Sequence, residues 1–312
     1  MNEPLISVVI PTFDRPFFLK RAIESVIKQD YKNIEIVVVV DGFSARTGEY
    51  IEQAKKMSNI EINLIQTNTK VGGSEARNIG VKKANGELIG LLDDDDEWFS
   101  DKLSSQMDLI NKNQLSIDDD FLCFTSLERY KKPNQKKYDK LPNVDYKNSG
   151  KKTISDYLFE TKGLKNIGFI QTSTVLVPKH ILIETPFTKG LIKHQDWDWL
   201  LNVDNSYDLT IIQVEDPKII YHSDVPMDSR VGYINRWNFT EQWLETHKEF
   251  FSKLAYESFI LNYILLGIAS DKNLSRTQRR LEIKIRYQNL SVTTKFRPYT
   301  WKIIIYMMKN ND

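Results

Sequence analysis

The apolar run Leu88-Ile89-Gly90-Leu91-Leu92 passes directly into Asp93-Asp94-Asp95-Asp96, and this junction constrains the fold of the 312-residue chain most tightly. A short apolar run ending in acids reads as a strand buried on both faces, with carboxylates at its C-terminal tip. An open α/β sheet places its ligand at such tips. Four crowded carboxylates repel one another unless a cation lies among them. Oxygen-only ligands of this kind suit Mg²⁺ or Mn²⁺, and a divalent ion at a sheet edge implies a phosphorylated substrate.

The chain upstream supplies the rest of such a sheet. Strands are expected at 5–10, 34–40, 60–66 and 88–92, with helices at 17–29, 47–57 and 73–83 between them. This β-α-β-α rhythm predicts an α/β fold with a mostly parallel sheet, helices on both faces and right-handed connections. A helix at 100–113 and strands at 121–127, 173–177 and 209–214 follow, with a helix at 195–203. Residues 129–152 are rich in Lys and Asn and read as a long exposed loop. From residue 235 the pattern turns helical, and Ser275 with Gln278 fits a capping box opening a further helix. The expected division is 1–232 as one domain, in two parts, 1–100 and 101–232. Residues 233–312 form a helical extension.

Bulk properties remove several classes of function. The net charge of +1 gives no basis for nucleic-acid binding. Cys123 is the only cysteine, which excludes an internal disulfide and a Cys-based zinc site and fits a reducing cytoplasm. No basic leader opens the chain, and no stretch is long enough to span a bilayer, so a cytoplasmic protein is expected. One local imbalance stands out: residues 275–309 hold nine Lys/Arg against a single acid, Glu282. The segment 295–309 mixes Trp301, three isoleucines, Tyr306 and two methionines with bases. It reads as a terminal helix on the core, a homodimer contact, or an interfacial helix on an anionic membrane surface.

Other groups converge on the same predicted edge. Pro11 ends the first strand, and the turn then presents Thr12, Phe13 and Arg15 before a helix opened by Pro16. Asp41 ends the second strand, where it could accept a hydrogen bond from a base or ribose, or cap the next turn. Gly72-Gly73 allows close backbone approach, and Arg77 follows one turn into the next helix. Taken singly, each has an ordinary structural explanation.

Together, residues 7–16, 37–42, 72–80 and 85–98, in this order and spacing, resemble family 2 glycosyltransferases. The resemblance implies a GT-A fold and a UDP-sugar donor bound with Mn²⁺ or Mg²⁺. Pro11, Thr12, Phe13 and Arg15 would then line the uridine pocket, with Asp41 and Arg77 beside the base and Asp93 and Asp94 near the donor. Asp95 would be the direct metal ligand with Asp93, the repeated Asp leaves Asp94 or Asp96 as a ligand or a support for one, and His222 would bind the metal or a phosphate. The chain departs from the family at Val40, where an acid is common. Residues 193–199, Lys-His-Gln-Asp-Trp-Asp-Trp, resemble the family's Glu-Asp-Trp element, with Gln195 in place of the Glu. Asp196 would be the catalytic base of an inverting transfer, with Asp198 its internal competitor. Arg230 would neutralise the leaving diphosphate. The implied acceptor is a glycan, typically lipid-linked, in O-antigen, capsule or lipooligosaccharide synthesis.

Two other classes of function meet the same residues. A sugar-nucleotide pyrophosphorylase needs a Gly-rich phosphate loop after the first strand, and the turn from Pro11 to Pro16 contains no glycine. A P-loop sequence is also absent. A catalytically silent nucleotide-sugar-binding or scaffold subunit stays open because of Val40 and Gln195.

Overall fold

The computed structural model describes residues 3–130, 138–223 and 235–309. Its strands in chain order are β1 (Ile6–Thr12), β2 (Ile34–Val40), β3 (Glu61–Gln66), β4 (Leu88–Leu91), β5 (Glu97–Trp98), β6 (Phe121–Tyr130) and β7 (Asp139–Leu141). A short pair follows, β8 (Thr161–Lys162) and β9 (Lys165–Asn166), then β10 (Leu176–Pro178) and β11 (Thr210–His222). The chain forms two compact units: Met1–Pro142 with Ile170–Pro226, and Asn143–Phe169 with Met227–Asp312.

The first unit is built on one sheet in the order β3-β2-β1-β4-β10-β6-β11-β5, with β7 added beside β6. β1, β2, β3 and β4 pair in parallel, as the alternating rhythm predicts. Every residue of β2 and β4 is buried, which explains why these strands read as continuous apolar runs. Helix Gly73–Lys83 lies close on β1 because Gly80 has no side chain; a Cβ there would sit 2.4 Å from Val9. The parallel register sets Thr12 against Val40, so Thr12, Asp41 and Asp93 share the C-terminal edge.

The second half of this sheet departs from simple alternation. β10 is three residues long and runs antiparallel between β4 and β6. Residues 172–174 form a 3₁₀ turn rather than the start of the expected strand. β11 continues well beyond residue 214, with register shifts on either side of Pro217. Proline cannot donate to the ladder and belongs at such bulges. Past the bulge, Ile219 and Ile220 pair antiparallel with Trp98 and Glu97.

The second unit corrects the expected domain boundary, because residues 143–169 pack with the C-terminal helices. Phe159 stacks on Phe251 (centroids 5.2 Å) and meets Phe259 edge-on (5.0 Å). Ser155 Oγ donates to the Phe250 carbonyl at 2.6 Å. Segments distant in sequence share one aromatic core here, so no local signal marks the boundary. The expected capping box is formed: Ser275 and Gln278 open the helix Arg276–Gln288. The predicted loop 129–152 is only partly a loop, since it contributes the end of β6, β7 and a short helix, Tyr146–Ser149. Among the described residues no helix is long and apolar enough to cross a membrane.

Candidate active site

The four aspartates form a turn between β4 and β5, closed by the Asp96 amide donating to the Asp93 carbonyl at 3.1 Å. Their repulsion is answered first by arginines. Arg15 grips Asp94 through Nη2 and Nε (3.1 Å to Oδ2), and its Nη1 lies 3.4 Å from Asp95. Arg77 Nη2 donates to Asp93 Oδ1 at 2.5 Å. Arg21 donates to the Asp95 carbonyl at 2.5 Å and pairs with Glu97 at 3.2 Å. The sequence argument that crowded carboxylates demand a metal is thus incomplete, because three guanidinium groups carry part of that burden.

The four carboxylates differ in what remains available to them. Asp94 is 1% exposed and also accepts from Thr12 Oγ1 at 2.6 Å. Burial pushes its carboxyl up to about 7, against the pull of Arg15. Asp96 is fully buried and accepts from Ser173 Oγ (2.7 Å), Gln171 Nε2 (3.1 Å) and the His222 amide (3.2 Å). Burial, followed by the charges of Asp95 and Asp93, pushes it well above the usual carboxylate range. Asp93 and Asp95 keep 25% and 21% of their side-chain surface exposed. Burial and the charge of Asp93 push Asp95 upward. These two are the carboxylates open to a further partner.

A platform of two buried polar residues, Gln171 and Ser173, lies under this turn. Gln171 Nε2 bridges Asp93 (2.9 Å) and Asp96, while its Oε1 accepts from the Ser173 amide at 2.8 Å. Ser173 Oγ accepts from the Asp93 amide at 3.0 Å. Both residues lie at the 3₁₀ turn before β10, and both are buried. Only the polar character of residues 171–174 before an apolar run hinted at them.

Among the described residues no three carboxylate, imidazole or thiol groups come together as a metal centre. Of the expected set Asp93, Asp95 and His222, the histidine is paired with Glu97. The bulged end of β11 carries His222 to Glu97, whose Oε1 lies 2.7 Å from its Nε2. Burial pushes Glu97 up, but His222 and Arg21 outweigh it and hold the carboxyl low. Two partly exposed carboxylates still fit the way Mg²⁺ and related ions bind phosphorylated substrates, through one or two acids plus phosphate oxygens and water.

The remaining expected donor-side residues are distributed as follows. Thr12 and Arg15 both bond to Asp94. Pro11 is half-buried beside them. Phe13 stays exposed at the edge, with Lys70 Nζ 3.6 Å above its ring. Asp41 takes the capping alternative: Oδ1 accepts from the amides of Val71 (2.5 Å) and Gly72 (3.1 Å). Gly72 adopts φ +86°, a conformation that favours glycine. Arg230 lies outside the described residues.

Asp196 sits at the start of helix Gln195–Ser206, and its Oδ1 accepts from the Trp197 amide at 3.0 Å. Burial pushes its carboxyl up to about 6. The Trp197 amide and Arg77 pull against burial, and the charge of Asp93 adds to it. Arg77 Nη1 donates to Gln195 Oε1 at 3.1 Å, which ties this helix to the aspartate turn. Asp198 is buried and accepts from Thr188 Oγ1 (2.6 Å) and Asn202 Nδ2 (3.3 Å), interactions that hold the helix. Trp199 is core, stacked on Phe187, whereas Trp197 stacks on His194 at 4.7 Å.

Comparison with known proteins agrees with this geometry. The model of "Glycosyl transferase family 2" matches residues 7–169, just over half of the chain. The amylovoran biosynthesis glycosyltransferase AmsB of Erwinia amylovora is 29% identical over 223 residues, covering 71% of each chain. WfgD of Escherichia coli, a UDP-Glc:alpha-D-GlcNAc-diphosphoundecaprenol beta-1,3-glucosyltransferase, is 25% identical over 86% of this chain and 95% of that protein. S. aureus TarS 1–349 in complex with UDP-GlcNAc superposes with a TM-score of 0.56 at 16% identity, covering 99% of this chain and 82% of that one. A longer TarS structure gives 0.62, and this chain spans about half of it (54%). The fold is that of the GT-A glycosyltransferases, and the chain belongs to glycosyltransferase family 2.

Proposed function

We propose that this protein transfers a sugar from a UDP-sugar to a hydroxyl of a lipid-linked glycan, with inversion at the anomeric carbon, in the synthesis of a bacterial surface polysaccharide. The observation that carries this reading is the bridge of Arg77 between Asp93 and Gln195. It brings the carboxylate turn at the sheet edge next to the helix that bears Asp196. The relatives named above support the choice of donor and acceptor, since WfgD is named for a UDP-glucose donor and a diphosphoundecaprenol-linked acceptor.

The chemistry is a single displacement. The acceptor oxygen bonds to the anomeric carbon as the bond from that carbon to the diphosphate oxygen breaks. Asp196 takes the hydroxyl proton, and the electron pair leaves with UDP. A carboxyl raised to about 6 is ionised at neutral pH yet more basic than an ordinary aspartate. A divalent cation held by Asp95, with Asp93 beside it, would neutralise charge on the leaving diphosphate. Gln171 and Ser173 hold Asp93 and Asp96 in place, and Arg15 fixes the neighbouring Asp94. Exposed Phe13, with Lys70 above it, offers the uracil ring an aromatic surface. Residues 295–309 would keep the protein on the membrane that carries the acceptor, at its cytoplasmic face.

The test is transfer to a synthetic lipid-linked acceptor, with the product's anomeric configuration read by NMR. Inversion, with tighter UDP binding when Mn²⁺ or Mg²⁺ is added, supports the proposal. A retained configuration would remove Asp196 as the base. UDP binding without turnover on any acceptor would favour a silent binding subunit.

A further inference from the structure

We propose that the β8–β9 hairpin and the outward face of helix Pro298–Lys309 form one surface that seats on an anionic phospholipid bilayer. The inference deepens the membrane contact proposed above, and it is independent of the transfer chemistry.

The helix is apolar on both sides. Tyr299, Thr300, Ile303 and Met307 are buried, while Trp301 (50%), Ile305 (51%) and Tyr306 (54%) are exposed with Lys302 among them. The exposed set recurs at helical spacing, so it forms a stripe. A stripe facing water is ordinarily polar. The hairpin turns through Gly163 at φ +61°, and its tip, residues 162–165, is exposed, with Leu164 at 53%. The two elements are fastened together. Lys302 Nζ donates to the Leu164 carbonyl at 2.8 Å, Arg297 Nη2 donates to the Thr161 carbonyl at 2.8 Å, and the Tyr299 hydroxyl meets Asn166 Oδ1 at 3.0 Å. Leu164 therefore sits beside the outward stripe, flanked by Lys162 and Lys165.

Charge and side-chain type together select the occupant. Neither 161–166 nor 298–309 contains an acid. A twofold contact between copies would set lysine against lysine. An anionic bilayer takes Leu, Ile, Trp and Tyr below its headgroups and lysines at its phosphates. The hairpin adds to the helix a second apolar tip between two bases.

The test is co-sedimentation of the full chain with phosphatidylcholine vesicles, with and without phosphatidylglycerol. Wild type is expected to pellet with the anionic vesicles and at least about tenfold more weakly without phosphatidylglycerol. Lys162→Glu with Lys165→Glu is expected to weaken binding by about tenfold or more, and Trp301→Ser with Ile305→Ser to abolish it. All four positions are exposed, so far-UV circular dichroism and UDP release in solution stay as in wild type. Hairpin variants that pellet like wild type, or equal binding to neutral vesicles, overturn the proposal. Self-association by light scattering that is lost in the Trp301→Ser, Ile305→Ser variant would give the surface to a second copy and also overturn it. Vesicle binding without any donor turnover would instead defeat the transferase reading and leave this one intact.

Discussion

Arg77 Nη1 lies 3.1 Å from Gln195 Oε1, although the two residues are 118 positions apart. The same guanidinium holds Asp93, so one side chain couples the aspartate turn to the helix carrying Asp196. Its charge also opposes the rise that burial imposes on the Asp196 carboxyl. Replacing Arg77 with Met removes that pull, so the acid limb of kcat/KM should move above pH 6, by up to about one unit. An unmoved limb in a pH–rate profile would separate Arg77 from the base.

As the proposed base, Asp196 should set the wild-type limb. A base must be ionised, so activity should rise with pH, half-maximal at about 6, and plateau above 7. Asp196→Asn should lower turnover by about 10²–10⁴ while leaving UDP affinity, measured by calorimetry, near wild type. Asp198→Asn should lower the melting temperature instead, because its carboxylate accepts from Thr188 and Asn202 and so holds the helix.

Arg15 and Asp94 form a pair in which the acid is buried and the arginine is about a quarter exposed. Arg15→Ala leaves a buried carboxyl without its guanidinium. The expected loss is about 2–3 kcal/mol, somewhat under that for a fully buried pair. Arg15→Lys should recover only part of it, since an ammonium cannot reproduce the fork. Chemical denaturation of the three proteins checks the order.

The sheet edge was legible in the sequence where elements are long and regular. β1 to β4 and their helices follow from buried apolar runs and helical spacing. Gln171 and Ser173 were not legible, because a platform made by one amide and one hydroxyl leaves no periodic trace. β5 is two residues long and β10 three, so they exist only through their partners. Asp41 shows another limit: a carboxylate at a strand tip suits a base or a backbone turn equally, and only the positions of the Val71 and Gly72 amides decide. Likewise, the bulge at Pro217 sends His222 to Glu97, and no local motif encodes that pairing. The hairpin at 161–166 and the placing of 143–169 with the C-terminal helices depend on contacts remote in sequence.

Lys102 is wholly buried, with its Nζ 2.6 Å from Gln106 Oε1 and 3.9 Å above the Trp98 ring. Burial pushes its ammonium down to about 7. The unfolded chain therefore binds this proton more tightly than the folded one. Between pH 7 and about 10 that difference makes stability rise with pH, and below 7 the full cost of burying the charge persists. Lys102→Met should flatten this part of the profile, and melting temperatures of both proteins at pH 7, 8 and 9 measure the difference.

The central claim is that Asp95 serves the donor diphosphate and Asp196 the acceptor hydroxyl, on opposite sides of the Arg77 bridge. Its most direct test is UDP release across a panel of nucleotide-sugars with Mn²⁺, comparing wild type, Asp95→Ala and Asp196→Asn. The account predicts slow, cation-dependent release from one UDP-sugar by wild type. Asp95→Ala should lose both release and cation-dependent UDP binding, whereas Asp196→Asn should keep the binding and lose transfer to acceptor. Undiminished cation-dependent binding in Asp95→Ala, or full transfer by Asp196→Asn, would contradict it.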